Sequence, residues 1–206
     1  MHTADQLESF QRWSSTMLAT YESVLPPLGA VYCSAPITSG LRFIDWVKRE
    51  GLSYSHVDEA NPSQKERHAE EVIRANVLHA SAVAGRLRTV LTDPVINPAA
   101  IPNTPGWTQL QWLDFWDAVI TKFAHTVVFL DGWQYSNGCT YEFALSVRLG
   151  RVALDERGDE LIAAREEGHM QRACLEIEEL GGRPALLLRH LDALRKTVRP
   201  GLLEPR

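Results

Sequence analysis

The sequence predicts an α/β protein with a mainly parallel sheet that is covered by helices on both faces. Short apolar runs rich in β-branched residues alternate along the chain with helical patterns of roughly 10 to 20 residues. This alternation indicates βαβ units, and a parallel sheet built from them is buried on both sides. We therefore expect a three-layer sandwich with about five strands.

The chain begins with an amphipathic helix, predicted over residues 5–21. Apolar side chains recur there at intervals of three and four, and Pro26-Pro27 follows. The first core strand is predicted over 30–34, an apolar run that Pro36 stops. The elements predicted next are a helix over 41–50, a loop over 51–62, a helix over 63–87, a second strand over 89–91 and a loop over 92–106.

The second half of the chain continues the alternation. Residues 126–130 are a continuous apolar, β-branched run and predict a core strand. The other predicted elements are a helix over 108–124, a loop over 131–138, a helix over 141–149, a strand over 151–154, a polar helical segment over 156–180 and a short apolar segment over 185–188. We assign all 206 residues to one domain, with a core over 30–154, an N-terminal helical region over 1–28 and a C-terminal extension over 155–206.

The charge balance argues against two classes of partner. The chain has 21 basic and 26 acidic side chains, a formal net charge of −5, and no block of basic residues. Nucleic-acid polymers and anionic membranes are therefore not expected as partners. No apolar run approaches the roughly 20 residues that cross a bilayer, and the N-terminus lacks the pattern of a signal peptide. We expect a cytoplasmic protein that binds a small molecule.

The cysteines predict neither a disulfide framework nor a zinc site. There are three of them, Cys33, Cys139 and Cys174, and no two have CxxC spacing. We accordingly expect no metal and no cofactor.

Ligands of parallel α/β sheets bind beyond the carboxyl ends of the strands. The most informative such segment follows the strand over 126–130, where a loop with two glycines leads to a helix that carries Glu142. Ser136, Asn137 and Gly138 at the start of that helix are placed to hold a phosphate or another oxyanion. The alternative is that Asn137 is only an N-cap, Gly138 only permits a turn, and Glu142 only benefits from the positive helix end.

The preceding helix offers a second carboxylate. Asp114 and Asp117 lie three apart and share a face, interleaved with Trp112 and Trp116. Burial of Asp117 beside Glu142 would separate the pKa values of the two carboxyl groups, as acid–base chemistry requires. A solvated position on the outer face suits Asp114 better. The loop after the first strand adds hydroxyl groups and a cation, although its proline and glycine are also explained as turn residues.

Four motifs, in order, resemble the nucleoside 2-deoxyribosyltransferase-like superfamily, in particular a bacterial and phage branch with a Gly-Trp and Ser-x-Gly pattern. The resemblance covers about residues 30–154. The motifs are Tyr32-x-Ser34-x-Pro36, Asn97-Pro98-Ala99, Asp117 on the helix before Gly132-Trp133, and Ser136-x-Gly138-x-x-x-Glu142.

The resemblance implies a flavodoxin-like or Rossmann-like fold and the cleavage of N-glycosidic bonds. It implies that Glu142 is the nucleophile, that Asp117 lies close to Glu142 and to the base, and that Tyr32 is the third catalytic residue. Ser136 matches a serine that contacts phosphate in members that hydrolyse nucleoside 5′-monophosphates, so a phosphorylated substrate is favoured. The substrate-binding residues that we expect are Ser34, Pro36, Arg42, Asn97, Asp131, Trp133, Ser136, Asn137 and Gly138.

Two functional hypotheses follow. The first is an N-glycosidase or deoxyribosyltransferase that acts on a nucleoside or nucleotide through a glycosyl-enzyme intermediate. The second is a non-catalytic nucleotide-binding or sensor module that uses the same pocket. Members of the resembled family often complete their sites across a dimer interface, so a homodimer or higher homo-oligomer is expected, with the helix over 63–87 as a candidate contact.

Overall fold

A computed structural model of the chain describes residues 4–101 and 107–199. One sheet of four parallel strands lies at its centre, in the order β2-β1-β3-β4. The strands are β1 (Ala30–Ser34), β2 (Val95–Ile96), β3 (Ala124–Phe129) and β4 (Val152–Asp155). The parallel α/β architecture is confirmed, whereas the described residues form four strands, so the expected count of five is not confirmed.

Eight α-helices lie in the described residues. They are α1 (Ala4–Val24), α2 (Leu41–Glu50), α3 (Pro62–His68), α4 (Ala75–Val90), α5 (Gln109–Phe123), α6 (Asn137–Arg148), α7 (Ala163–Glu179) and α8 (Ala185–Val198). A π-helical segment, Ala69–Arg74, joins α3 to α4. Short 3₁₀ turns occupy Tyr54–Glu59, Pro98–Ala100 and Trp133–Tyr135. Parts of the predicted 92–106 loop, the N-terminal region and the C-terminal extension lie outside the described residues.

The second strand was predicted in the wrong place. Residues 89 and 90 belong to α4, and the strand is Val95–Ile96 instead. Val90 is 71 % exposed, whereas Val95 and Ile96 are buried between the helices and β1. Burial therefore determines which of these β-branched residues form the strand, because intrinsic β-propensity contributes less to strand formation than packing in the core does.

Three further elements differ from the prediction by four residues or more or in their type. Helix α6 begins at Asn137 rather than at residue 141. The apolar segment over 185–188 is the start of α8. A turn follows β4, so the polar segment after residue 155 becomes helical only at Ala163.

Helices cover both faces of the sheet. On one face, α5, α6 and α8 pack Phe115, Phe143 and Leu191 into a cluster with Tyr32 and Phe129 of the strands. On the other face, small side chains of α4 pack against β1, β2 and β3 in a second cluster. The molecule is thus a three-layer sandwich in which the C-terminal helix α8 belongs to the main core.

The strand order fixes where a ligand site is expected. After β1 the chain crosses to β2 on one side and later returns to β3 on the other, so the direction of winding reverses between β1 and β3. In open parallel sheets the crevice beyond the carboxyl ends at such a point binds ligands. Among the helices in the described ranges, none has the length and apolar character needed to cross a membrane.

Candidate active site

The Glu142 carboxylate lies at the carboxyl end of β1, where two hydroxyl groups hold it. The Tyr32 hydroxyl donates to Oε1 at 2.7 Å and the Ser34 hydroxyl donates to Oε2 at 2.6 Å. Tyr32 and Ser34 are two positions apart on a strand, so their side chains share one face of the sheet. Helix α6 packs on that face and brings Glu142 to both of them. Each carboxylate oxygen therefore has a fixed direction.

Burial changes the acidity of this group. Glu142 is 7 % exposed. Its removal from water raises its pKa to about 7, against the hydrogen bonds from Ser34 and Tyr32, which lower the pKa. Near neutral pH the carboxylate and the carboxylic acid are both populated. The group is consequently able to act as a nucleophile or to exchange a proton at physiological pH.

Tyr32 is held as a neutral donor. It is fully buried, and burial together with the nearby Glu142 carboxylate raises its pKa well above the usual value. The Trp116 ring of α5 packs edge-on against it at a centroid distance of 5.8 Å. The tyrosine hydroxyl therefore keeps its proton and its position while Glu142 titrates.

Cys139 lies one helical turn before Glu142 but is not a second nucleophile. Burial raises its pKa to about 12, so its thiol stays protonated at neutral pH. Of the two groups on this part of α6, only the carboxylate carries charge near pH 7.

The start of α6 has free donor capacity. The N-cap is Ser136, whose hydroxyl oxygen accepts from the Cys139 N–H at 3.4 Å. The alternative that Asn137 is the N-cap is therefore wrong. The N–H groups of Asn137 and Gly138 have no acceptor within 4–101 and 107–199, as is usual for the first turn of a helix. They lie five and four residues before Glu142 and form part of the positive end of the helix dipole.

Asp117 and Glu142 share no hydrogen bond. The Tyr141 hydroxyl donates to Asp117 Oδ2 at 2.5 Å, and Arg148 lies 3.9 Å from the same oxygen. Tyr141 and Glu142 are consecutive on a helix, so their side chains point about 100° apart. The contacts of Asp117 are thus with the neighbour of Glu142 in the helix, and its closeness to Glu142 stays a prediction. Asp114 is exposed, as expected.

Arg42 organises the loop after β1. Its guanidinium donates to Asn76 Oδ1 at 2.9 Å, and the Asn76 amide donates to the carbonyls of Ile37 and Ser39 at 3.0 Å each. Asn76 is buried, so these bonds fix the loop against the helix that carries it. The contacts of Arg42 are thus structural, and a contact with substrate stays a prediction.

Asn97 and Pro36 also have structural contacts. The Asn97 side chain accepts from the Ala99 N–H at 3.1 Å and caps the turn Pro98–Ala100. Pro36 is buried against Gly40, where an added Cβ would lie 2.7 Å from the proline ring. Both residues shape the ends of their strands.

Gly132 and Trp133 pack the loop after β3 against the start of α2 and against the core. Gly132 has φ of 77°, and a Cβ there would lie 2.5 Å from the Leu41 backbone nitrogen. Trp133 is buried, with ring-centroid distances of 5.2 Å to Phe129 and 4.6 Å to Phe143. The close approach of two backbones therefore requires glycine at position 132.

We expect Gly132→Ala to destabilise the protein clearly more than Gly150→Ala does. Both glycines have positive φ, but the space around Gly150 is open. Placing alanine at positive φ costs about 1–2 kcal/mol in both variants. The difference between their free energies of unfolding therefore measures the effect of the close contact with Leu41. Urea denaturation measures both free energies of unfolding. Equal losses of stability would contradict the close packing of residues 132 and 41.

We expect Ser34→Ala to raise the pKa of Glu142 further, because it removes a donor to the charged carboxylate. Ser146→Ala is the matched control, since the Ser146 hydroxyl donates to the Glu142 backbone carbonyl and not to its carboxylate. Carbon-13 NMR of labelled glutamate carboxyl groups measures both titration midpoints. An unchanged midpoint in Ser34→Ala would show that this hydrogen bond does not tune Glu142.

A second feature of the strand ends was missed from the sequence. A cavity of about 330 Å³ lies at the carboxyl ends of β3 and β4, and Glu142 does not line it. Asp131 and Trp133, predicted as substrate-binding residues, line this cavity together with Glu166 and His169 of α7. The Glu166-x-x-His169 spacing, which places two side chains on one helix face, was the signal in the sequence.

Comparison with known proteins gave no match to a family model, to a curated protein or to a solved structure.

Proposed function

We propose that the protein cleaves the N-glycosidic bond of a nucleoside or nucleotide, with the Glu142 carboxylate as the nucleophile. The observation that carries this proposal is the pair of hydroxyl groups on Glu142, at 2.7 and 2.6 Å, at the point where the winding of the sheet reverses. A buried carboxylate with a pKa near neutrality in that place is a recognised mark of a reactive site. The resemblance of the motifs supports the same chemistry.

In the first step the ionised Glu142 oxygen bonds to the anomeric carbon of the sugar. The bond from that carbon to the base nitrogen breaks, and the base leaves with the electron pair and takes up a proton. In the second step water attacks the same carbon, the glycosyl ester breaks, and Glu142 regains its negative charge while the water proton is released. A second base in place of water gives a transferase.

Tyr32 and Ser34 orient the nucleophile in this scheme. Both donate to the carboxylate, and each bond uses a different oxygen. The oxygen that attacks exchanges its hydroxyl donor for the bond to carbon, while the other oxygen keeps its donor. The proton of Tyr32 stays on its hydroxyl group throughout, because burial raises the pKa of Tyr32 well above its usual value.

We propose that the substrate is phosphorylated, with its phosphate at the start of α6. The Ser136 hydroxyl and the N–H groups of Asn137 and Gly138 supply donors, and the helix dipole favours an anion there. The net charge of −5 makes such a local arrangement necessary. Asp117, which contacts Tyr141, is given no step in this mechanism.

The experiment is an assay of free base from a panel of purine and pyrimidine nucleoside 5′-monophosphates at pH 8, where Glu142 is mainly ionised. We expect base release by the wild type and by Glu179→Gln, an exposed control on α7, and its loss in Glu142→Gln. Release that is unchanged in Glu142→Gln would refute the assignment of the nucleophile.

The second hypothesis, a nucleotide-binding module without turnover, gains support from the partners of Glu142: within residues 4–101 and 107–199, no other carboxyl group hydrogen-bonds to it, and Asp117 bonds to Tyr141 instead. It predicts that a nucleotide stabilises the fold by about 2.7 kcal/mol at one hundred times its dissociation constant, with no release of base. Thermal denaturation with the same panel of nucleotides separates the two functions.

A further inference from the structure

The cavity beside the proposed active site is a separate compartment. It lies at the carboxyl ends of β3 and β4 and is bounded by the first turns of α7. Phe129 and Trp133 line it, and both rings also pack on Phe143, at centroid distances of 5.4 and 4.6 Å. Phe143 follows Glu142 in the chain. An aromatic wall therefore lies between the cavity and the carboxylate of the proposed nucleophile.

A buried carboxylate orients a histidine in this cavity. Glu166 is only 2 % exposed, and its Oε2 contacts His169 Nδ1 at 2.7 Å while its Oε1 accepts from Arg165 Nε at 3.0 Å. A buried carboxylate is costly unless it is paired, and here each oxygen has a partner. The bond to Glu166 places the proton of the neutral imidazole on Nδ1. In that neutral form, the Nε2 atom of His169 is a hydrogen-bond acceptor.

The cavity carries fixed charges of both signs. The strand ends contribute the carboxylate of Asp131 and the guanidinium of Arg157, whose side chains have no partner within 4–101 and 107–199. Asp155, in contrast, already accepts from the N–H groups of Arg157 and Asp159, at 2.8 and 2.9 Å. Glu156 and Arg165 also line the cavity but are paired: Glu156 Oε2 lies 3.0 Å from His79 Nε2, and Arg165 donates to Glu166 and to the Glu160 carbonyl at 3.0 Å each. Among the described residues, the lining side chains that keep an unpaired charge are thus Asp131 and Arg157, and the Nε2 atom of His169 lies beside them.

We propose that this cavity binds a small zwitterion of the free amino acid class, its carboxylate on Arg157 and its ammonium group between Asp131 and His169 Nε2. A ligand with a single charge meets a repelling group as well as an attracting one, whereas a zwitterion matches both. The volume of about 330 Å³ lies at the small end of ligand sites. The aromatic rings of Phe129 and Trp133 supply an apolar surface for the ligand side chain.

The test is isothermal titration of the full-length chain with a panel of L-amino acids. Two matched arms remove one charge each: the amine without the carboxylate, and the N-acetyl amino acid without the ammonium group. We expect at least one amino acid to bind saturably and both of its single-charge analogues to bind about tenfold more weakly or not at all. If no amino acid in the panel binds, or if either analogue binds equally well, the proposal is wrong.

Variants locate the binding. We expect Asp131→Asn and His169→Gln each to weaken the amino acid about tenfold, while Asp45→Asn, at an exposed position on α2, leaves the affinity unchanged. Melting temperatures close to the wild type verify that the variants fold. An affinity that survives in Asp131→Asn and His169→Gln would place the ligand elsewhere and overturn the proposal. Amino acid binding in this cavity is expected to persist in Glu142→Gln, so the result of the binding test is independent of the proposed glycosidase activity.

Discussion

We expect the change in the free energy of unfolding caused by Glu142→Gln to be about 3 kcal/mol more favourable at pH 8 than at pH 4. Burial raises the pKa of Glu142 from the ordinary 4.5 to about 7. The folded state therefore keeps a proton that the unfolded state has released. The stability that this proton provides is complete below pH 4.5 and is lost as the pH rises through 7. Glutamine does not titrate, so the variant escapes the loss.

Urea denaturation of the wild type and of Glu142→Gln at intervals between pH 4 and pH 8 measures this difference. The gap in the free energy of unfolding is expected to widen with pH and to level off above pH 7. Glu179→Gln changes the same side chain on the surface and should show no such trend. A gap that is the same at all pH values would mean that folding does not raise the pKa of Glu142.

Leu191→Ala is expected to destabilise the protein by about 2–5 kcal/mol. Leu191 is 1 % exposed and belongs to the same cluster as Tyr32 and Phe143. The matched control is Leu188→Ala on the same helix, because Leu188 is 41 % exposed and its truncation leaves little cavity. Urea denaturation compares the two variants. Equal and small losses would contradict the placement of α8 in the core.

Helix α8 also supports the start of α6. The Thr140 hydroxyl donates to the Ser136 carbonyl at 2.8 Å and lies 3.0 Å from His190 Nδ1. Because the threonine proton is used, the imidazole is the donor in the second bond. Burial lowers the pKa of His190 to about 4, so the ring is neutral at physiological pH. The C-terminal extension, which the resemblance does not cover, thus holds the first turn of the helix that carries Glu142.

Patterns along the chain predicted the layers of the fold but not every strand. The first strand was correct because residues 30–33 are apolar or aromatic and Pro36 follows shortly after the strand. The strand Val95–Ile96 has only two residues, too few for a periodicity, and it was misplaced onto an exposed end of α4. The segment over 185–188 is apolar enough for either a strand or a helix. It forms the first turn of α8, where Leu187 is buried against Ile44 of α2 and Ile177 of α7.

The sequence predicted those parts of the site that depend on spacing within a single strand or helix. Tyr32 and Ser34 share a strand face by their spacing, and position 142 follows the start of α6 by little more than one turn. The relation of Asp117 to Glu142 was not predictable in this way. Helical spacing shows which residues share a face of α5. It does not show how α6 is turned about its own axis, and this orientation determines that Tyr141 contacts Asp117.

The most direct test of the central claim is to trap the glycosyl-enzyme. A nucleoside 5′-monophosphate with fluorine at the 2′ position of the sugar disfavours the positive charge at the anomeric carbon and so slows hydrolysis of the ester. After quenching, peptide mass spectrometry is expected to show one phosphorylated sugar on the peptide that contains Glu142, with one equivalent of base released. One equivalent of released base with an unmodified Glu142 peptide would contradict the account.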